Sequence, residues 1–417
     1  MTIRLPNNPT DDTYEDLVTA WIETIGYFSE SRLVLREGTT DVLELDVVAS
    51  PLSDPLDRIL VDAKGNRASI SDMFKISGWI NYLDIRHGCI VHKEPLDKER
   101  VSAFKKVTEA TNVHVFQLTF EKSEPIKCFS LYNHANEHVL SSMVEASWFR
   151  QMAIRVAQSH FSKEKKKRSD EIIAGASNYQ KIVESSFFEP TPIDRVNALY
   201  KGYQQYPGLT KSLIDFLSES ESVDSNTVFE KITRSHEYLW LQHVQLLETR
   251  ARLNIIKSAL DFSMTKEFEE LEGDKTKEHF IGFDLERLGF DFTPDNFKRG
   301  LQTLADMEFK NNVPYLFQTF IEVFGGFYDD SSDDLKTLSE ISGVPESLIV
   351  EYLTLFDVFF PMSGRNWMHK IGNLNFIKFV PGFIRGVGCF FRRSLYKIDQ
   401  YSEYSDKNWM LTSWHNA

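Results

Sequence analysis

The sequence predicts an α+β protein in which an N-terminal mixed β-sheet flanked by helices is followed by a large all-helical region. Three observations support this class. Short β-like runs alternate with amphipathic segments over residues 13–120. Long amphipathic segments of helical period dominate after residue 134. The chain of 417 residues is also long enough for two or three domains.

The elements of the N-terminal unit are predicted in order from hydrophobic periodicity and turn residues. Tyr14, Leu17 and Trp21 recur at helical spacing before Gly26, a residue type that often ends helices. A loop with two prolines separates two runs rich in β-branched residues. The predicted helices are 13–26, 71–82 and 97–111, and the predicted strands are 32–37, 42–49, 58–63, 88–92 and 113–120.

Three domains are expected: an α/β unit over residues 1–133, a helical domain over 134–328 and a C-terminal region over 329–417. The segment 335–353 is typical of a helix-turn-helix, with Gly343 in the turn. Its second helix carries Glu346 and Glu351 and no lysine or arginine, which disfavours major-groove reading. We therefore expect a structural or partner-binding helix pair.

Composition and charge restrict the class of protein. A net charge of −14 repels polyanions in general, so a nucleic-acid site requires a local basic surface. Cys89, Cys128 and Cys389 are far apart, which indicates reduced thiols in a cytoplasmic protein. The polar N-terminus predicts no secretory signal, and the absence of a run of eighteen apolar residues disfavours a membrane span.

Acidic side chains within two β-like runs indicate a candidate site. Asp46 lies in the run 42–49 and Asp62 in the run 58–63, and Lys64 follows Asp62 by two residues, so these last two side chains share a face. If Asp46 lies on the adjacent strand, two carboxylates and one ammonium converge. Two carboxylates suit Mg²⁺, which keeps several waters and takes phosphate oxygens as ligands. The lysine can orient an attacking water and offset charge in the transition state.

These residues resemble the PD-(D/E)xK nuclease superfamily, in the branch of Mrr-like restriction endonucleases and archaeal Holliday-junction resolvases. YEDLVTAWIETIGY matches the first helix of that branch, ELDVVA its second strand and VDAK its third, and the similarity covers about residues 10–120. The resemblance implies a restriction-endonuclease-like fold. It makes Asp46 and Asp62 metal ligands, Lys64 the catalytic water-positioning residue, and Glu15 a further metal-binding or site-ordering acid.

The sequence departs from the family pattern at several positions. Leu45 stands where the family name has proline, and the third-strand acid is Asp62 where glutamate is more usual. No Q-x-x-x-Y follows on the next helix, and Lys75 is the nearest polar residue able to contact a phosphate. Family members that keep the fold and lose activity therefore stay an alternative.

Three further segments have both a functional and a structural interpretation. His134 and His138 match the H-x-x-E-H zinc motif, although a surface pair explains them better. The run 163–168, KEKKKR, is either a phosphate grip or a solvated helix end. Residues 361–398 hold seven Lys or Arg and no Asp or Glu, with phenylalanines between them. They indicate either a nucleic-acid surface that includes Arg385, Arg392 and Arg393 or a Phe-rich core with snorkelling basic residues.

The expected function is a metal-dependent endonuclease that hydrolyses DNA phosphodiester bonds with Mg²⁺, for which Mn²⁺ can substitute. The resemblance implies a role in restriction or antiviral defence. The alternatives are a catalytically inactive or regulatory subunit with a nuclease-like fold, and an RNA-cleaving nuclease. DNA is the expected partner, with a partner protein or a second copy bound through the helical domain and no membrane.

Overall fold

The computed structural model describes residues 5–51, 58–118, 136–165, 181, 184–204, 306–355, 368–377 and 382–397, and single helical residues between 253 and 304. The chain divides into two compact units, Met1–Met152 and Ala153–Ala417. Among the described residues, no helix combines the length and the apolar character that a membrane crossing requires. Cys89 and Cys389 are buried, and Cys128 lies outside the described residues.

The N-terminal unit contains a five-stranded mixed sheet in the order β1-β2-β3-β4-β5. Its strands are β1 (Tyr27–Glu37), β2 (Thr40–Pro51), β3 (Ile59–Lys64), β4 (His87–His92) and β5 (Val113–Gln117), and its helices are α1 (Asp11–Thr24), α2 (Ile70–Tyr82) and α3 (Lys98–Thr111). The first three strands pair antiparallel and the last three pair parallel. The α+β class and the order of elements predicted for this region are confirmed.

The core on one face of the sheet is formed by α1. Tyr14, Leu17 and Trp21, predicted from their spacing, are buried against Val47 and Val61 of β2 and β3. The amphipathic pattern of α1 therefore fixes which face of the sheet is apolar, because alternate strand residues point to opposite faces. Thr10 is the N-cap of α1.

The long helix α4 (Glu137–Lys165) begins in the N-terminal unit. Its Trp148 is fully buried in the α1 core and donates from Nε1 to the Thr13 carbonyl at 3.1 Å. The Arg150 guanidinium pairs with the buried carboxylate of Glu23. Because these contacts join the start of α4 to α1, the unit extends to Met152, beyond the residue-133 boundary expected from the sequence.

The C-terminal unit is mainly helical in its described part. Its elements are α5 (Pro192–Gln204), α6 (Val313–Glu322), β6 (Phe327–Asp329), α7 (Asp334–Ser342), α8 (Glu346–Leu353), β7 (Met368–Ile371), β8 (Leu374–Ile377) and α9 (Gly382–Tyr396). The strands form a small antiparallel sheet in the order β6-β8-β7. The expectation of an all-helical region omitted this sheet, since strands of three or four residues are too short to show a reliable alternation.

The helix-turn-helix predicted at 335–353 is present as α7 and α8. Gly343 ends α7 with a left-handed φ of 72°, a conformation that glycine adopts without a steric penalty. Ile349 and Tyr352 of α8 are buried, whereas Glu346 and Glu351 are exposed. The pair therefore packs by its apolar face and presents acidic side chains outward.

Candidate active site

The candidate site lies where β2 and β3 stop pairing. The two strands pair at Val47↔Val61, Val48↔Leu60 and Ala49↔Ile59, so Asp46 and Asp62 face each other one step beyond the last pair. There the Ala63 backbone N–H donates to a side chain of β2 and not to its backbone: the acceptor is Asp46 Oδ2, at 2.9 Å. We call this position, with Asp46, Asp62 and Lys64, the β2–β3 fork.

Asp62 and Lys64 share a face of β3, as their spacing predicts. Lys64 Nζ lies 2.7 Å from Asp62 Oδ2. The Asp62 side chain is only 3 % exposed and the Lys64 side chain 25 %, so the ammonium reaches solvent and the carboxylate does not. A buried carboxylate needs a cationic partner, and Lys64 supplies one from two residues away.

Burial and the Asp62 charge both raise the cost of ionising Asp46. Burial raises the pKa of Asp46 to about 6, the Asp62 charge adds to this effect, and the Ala63 N–H opposes it. Burial acts to lower the pKa of Lys64, but its contact with Asp62 and the charges of Asp46 and Asp72 outweigh burial and raise it. The fork is therefore a site of partly unrelieved negative charge beside a firmly protonated lysine.

Glu15 lies on α1 near the fork and is held by a strand arginine. Arg32 occupies the β1 position across from Asp46, between the pairs Ser31↔Val47 and Leu33↔Leu45, in a left-handed conformation with φ 55°. Its Nε is 3.4 Å from Glu15 Oε2 and its Nη2 is 3.0 Å from Asp16 Oδ1. Burial raises the pKa of Glu15 in spite of Arg32. The Glu15 charge in turn contributes to the raised pKa of Asp46.

Lys75 reaches the fork from α2. Its Nζ lies 4.0 Å from Asp62 Oδ1 and 4.1 Å from the centroid of the Trp79 ring, over which the ammonium sits. The side chain is 45 % exposed, so it extends between the buried acid and solvent. Trp79 was not predicted as part of the site, although its i+4 spacing from Lys75 is a readable signal for a side-chain pair on one helix face.

The donor set of the fork can be tested against a divalent ion. Among the residues that the structure describes, no group of three or more His, Cys, Asp or Glu side chains is placed to hold a metal. The fork offers two carboxylates, and Glu15 is engaged by Arg32. Mg²⁺ commonly takes one or two carboxylates and keeps several waters, so Asp46 and Asp62 fit it, whereas a fully protein-coordinated Zn²⁺ or Ca²⁺ does not fit.

Comparison with known proteins adds no relative. No protein-family model matches the chain, no curated protein matches it, and no solved structure matches it. The chemistry of the site is therefore inferred from the side chains of the fork and their neighbours.

Two of the three C-terminal arginines expected on a nucleic-acid surface are buried. Arg392 is 0 % exposed, and its guanidinium donates to both carboxylate oxygens of Asp334 and to the carbonyls of Phe324, Phe327 and Gly388. Arg385 is also buried and donates to the Ile377 carbonyl at 3.0 Å. The expectation of phosphate contacts is therefore wrong for these two residues, which occupy a core. Arg393 is exposed.

The remaining candidate motifs are covered only in part. His134 lies outside the described residues, while His138 is exposed at the start of α4. Of the basic run 163–168, only 163–165 fall within the described part of α4.

Proposed function

We propose that this protein is a metal-dependent endonuclease that hydrolyses DNA phosphodiester bonds, with a restriction-endonuclease-like fold in its N-terminal unit. One observation carries the proposal: Asp46 and Asp62 face each other at the β2–β3 fork, with Lys64 Nζ 2.7 Å from Asp62. The raised pKa of Asp46, caused by burial and then by the Asp62 charge, is the property that a bound cation would relieve. Mg²⁺ is the proposed cofactor and Mn²⁺ its substitute.

Each residue of the fork would have its own role in hydrolysis. Asp46 and Asp62 would hold the cation, which supplies polarisation of the phosphoryl oxygen and a bound water of lowered pKa. The Ala63 N–H keeps the Asp46 carboxylate directed into the fork. Lys64, protonated and partly exposed, is placed to orient the attacking water and to offset charge on the phosphate.

Two residues around the fork would act on binding and on charge. Lys75 lies on the solvent side of Asp62 and would contact a phosphate next to the scissile bond. Glu15, held by Arg32, would act as a site-ordering acid that adds negative charge without offering a free carboxylate. A role in restriction or antiviral defence is part of the proposal only through the family resemblance.

An inactive subunit with the same fold is the second candidate. The observation in its favour is that Lys64 and Lys75 already approach both oxygens of Asp62, so the acid is compensated without a cation. Such a subunit would act through partner binding, for which the exposed acidic face of α8 is available.

The test is a cleavage assay with plasmid DNA, linear duplex DNA and RNA in Mg²⁺ or Mn²⁺ and in EDTA. We expect cutting of DNA with either ion, none in EDTA, and none by Asp62→Ala. Glu44→Gln, on an exposed position of β2 two residues before Asp46, is the matched control and should cut normally. If only RNA is cut, the substrate is RNA and the DNA proposal is wrong. If nothing is cut and EPR titration shows no Mn²⁺ binding, the inactive subunit is favoured.

A further inference from the structure

A row of side chains on α2 leads away from the candidate site. Lys75, Trp79 and Tyr82 are spaced at i, i+4 and i+7, so they lie one above another on one side of the helix. The Lys75 ammonium lies between Asp62 and the Trp79 ring, at 4.0 Å from the carboxylate oxygen and 4.1 Å from the ring centroid. The row is therefore continuous with the fork.

Tyr82 of this row is open to solvent, whereas Trp79 is half-buried. Tyr82 is 60 % exposed, and Phe74, next to Lys75 on the helix surface, is 59 % exposed. The opposite side of α2 is buried through Met73, Ile76 and Ile80. Since those three residues satisfy the packing of α2 on the sheet, the exposed aromatic rings are not needed for the fold of this helix.

Exposed rings next to a cation match the chemistry of an unpaired nucleotide. Bases of single strands stack on aromatic side chains, and each stack strengthens binding with little regard to base identity. In a duplex the faces of the bases are covered by their neighbours, so an unpaired segment offers faces that a duplex does not. A lysine beside the rings supplies the contact to the phosphate of the same strand.

We propose that the face of α2 formed by Lys75, Trp79 and Tyr82 binds the unpaired strand of the substrate, so that the enzyme prefers DNA with a single-stranded segment next to the scissile bond. The inference rests on the proposed nuclease function and specifies its substrate class. Lys75 binds a phosphate, Tyr82 stacks on a base, and Trp79 holds the Lys75 ammonium in place and extends the stacking surface.

A second copy of this chain is the competing occupant of an exposed aromatic face. The position of Lys75 favours nucleic acid, because its charge lies between the rings and the acids of the fork, where a phosphate backbone must pass for cleavage. An apolar contact between two copies would leave this ammonium facing its own counterpart or an apolar surface, which costs desolvation energy.

The test measures binding in EDTA, where cleavage is absent, by fluorescence anisotropy of a labelled single-stranded oligonucleotide and of its duplex. We expect Tyr82→Ala to weaken single-strand binding about 5- to 100-fold, the range for loss of one stacked base, and to leave duplex binding within about twofold. Trp79→Ala should weaken it at least as much, because the change also releases Lys75. Val101→Ala, at an exposed apolar position of α3, is the matched control and should bind as the wild type does.

The outcomes separate this inference from the proposed function. Equal loss of single-strand and duplex binding, or no loss in either, overturns the stacking role even if the wild type cuts DNA. A change of sedimentation in Tyr82→Ala without a change in DNA binding assigns the face to a second copy and also overturns it. If single-strand binding falls as expected but no condition yields cleavage, the binding face stands and the nuclease proposal fails.

Discussion

Two buried acid–base pairs differ in how completely their hydrogen bonds are used. In the C-terminal unit, Asp334 and Arg392 are both 0 % exposed, and the guanidinium donates to the carboxylate and to three backbone carbonyls. Tyr396 donates to the same carboxylate at 3.0 Å. At the β2–β3 fork, Asp62 is equally buried but faces a second acid, and its lysine partners extend to solvent.

The difference shows what each pair does. Every hydrogen-bonding direction of the Arg392 guanidinium points to a group of its own unit, so the pair joins α7, β6 and α9 and has no capacity for a ligand. The fork places two like charges together, which adds to the cost of ionising Asp46, a cost that a bound cation would reduce. A saturated pair therefore indicates structure, and a pair beside a second acid indicates a site.

The largest effect is expected from breaking the Arg392–Asp334 pair. Arg392→Met should lower the free energy of unfolding by about 3–5 kcal/mol, because Asp334 is left as an uncompensated buried charge. The neighbouring exposed Arg393→Met should change it by less than about 0.5 kcal/mol. Urea denaturation of the full chain measures both. If Arg392→Met unfolds at the wild-type midpoint, the pair is not what stabilises this unit.

The second prediction concerns cleavage activity and the Lys64–Asp62 pair of the fork. Lys64→Met should reduce the cleavage rate by about 10²–10³, since it removes a cation aimed at the developing charge. It should also lower the unfolding free energy, by about 1–3 kcal/mol, because the buried Asp62 carboxylate loses its nearest cation and keeps only Lys75, whose Nζ lies 4.0 Å away. Lys105→Met, at an exposed position of α3, is the control for loss of a lysine charge.

The contrast between the two variants is the informative result. Loss of stability without a specific loss of turnover in Lys64→Met would make the fork a structural pair like that of Arg392. Normal cleavage by a stable Lys64→Met protein would remove the lysine from the mechanism and leave only the two acids to be tested.

The sequence predicted the fork well and the saturated pair poorly, for physical reasons. Periodicity placed Asp46 and Asp62 in two successive β-like runs, and the pairing of these runs, which the sequence left as a condition, brings Asp46 opposite Asp62. The burial of Arg392 depends on Asp334, 58 residues away, and on the backbone carbonyls of Phe324 and Phe327. Local composition carries no such long-range information, so the sequence left open whether this basic, aromatic segment is a nucleic-acid surface or a core.

The site residues show the same limit. The i, i+2 relation of Asp62 and Lys64 is local and was predicted correctly as a shared face. The engagement of Glu15 by Arg32 depends on a left-handed residue in β1, which nothing in the sequence signals at a non-glycine position. Glu23, on the same helix as Glu15, is buried against Arg150 and therefore cannot serve as a control for Glu15.

A third prediction concerns the cost of placing two acids together. Asp46→Asn should stabilise the protein at pH 8, because the amide keeps the acceptor for the Ala63 N–H and removes a charge whose burial is unfavourable. A folded pKa of about 6 against an ordinary 3.8 corresponds to about 3 kcal/mol, which solvent screening of this partly exposed group reduces to about 1 kcal/mol.

The sign of this effect sets its pH dependence. The folded protein favours the protonated form of Asp46, so the cost of the carboxylate is complete above the folded pKa of about 6 and is absent below its ordinary pKa. The advantage of Asp46→Asn in thermal unfolding should therefore vanish as the pH falls from 8 to about 4. Asp84→Asn, an exposed Asp→Asn change after α2, should show no such trend. An unchanged difference across this range would contradict the raised pKa.

The smallest effect is expected from a change at Glu15, next to the fork. Glu15 contributes its charge to the raised pKa of Asp46 while Arg32 holds its carboxylate. Glu15→Gln should therefore shift the pH midpoint of Mn²⁺ binding downward, because Asp46 ionises more easily when a neighbouring negative charge is removed. At pH 8 the Mn²⁺ affinity should change by less than about fivefold, since one partly exposed charge contributes at most about 1 kcal/mol. EPR titration of Mn²⁺ against Glu15→Gln, with Glu44→Gln as control, measures both quantities.

A tenfold loss of affinity at pH 8 would instead make Glu15 a direct ligand, released by Arg32 when the cation binds, and the fork would then be a three-carboxylate site.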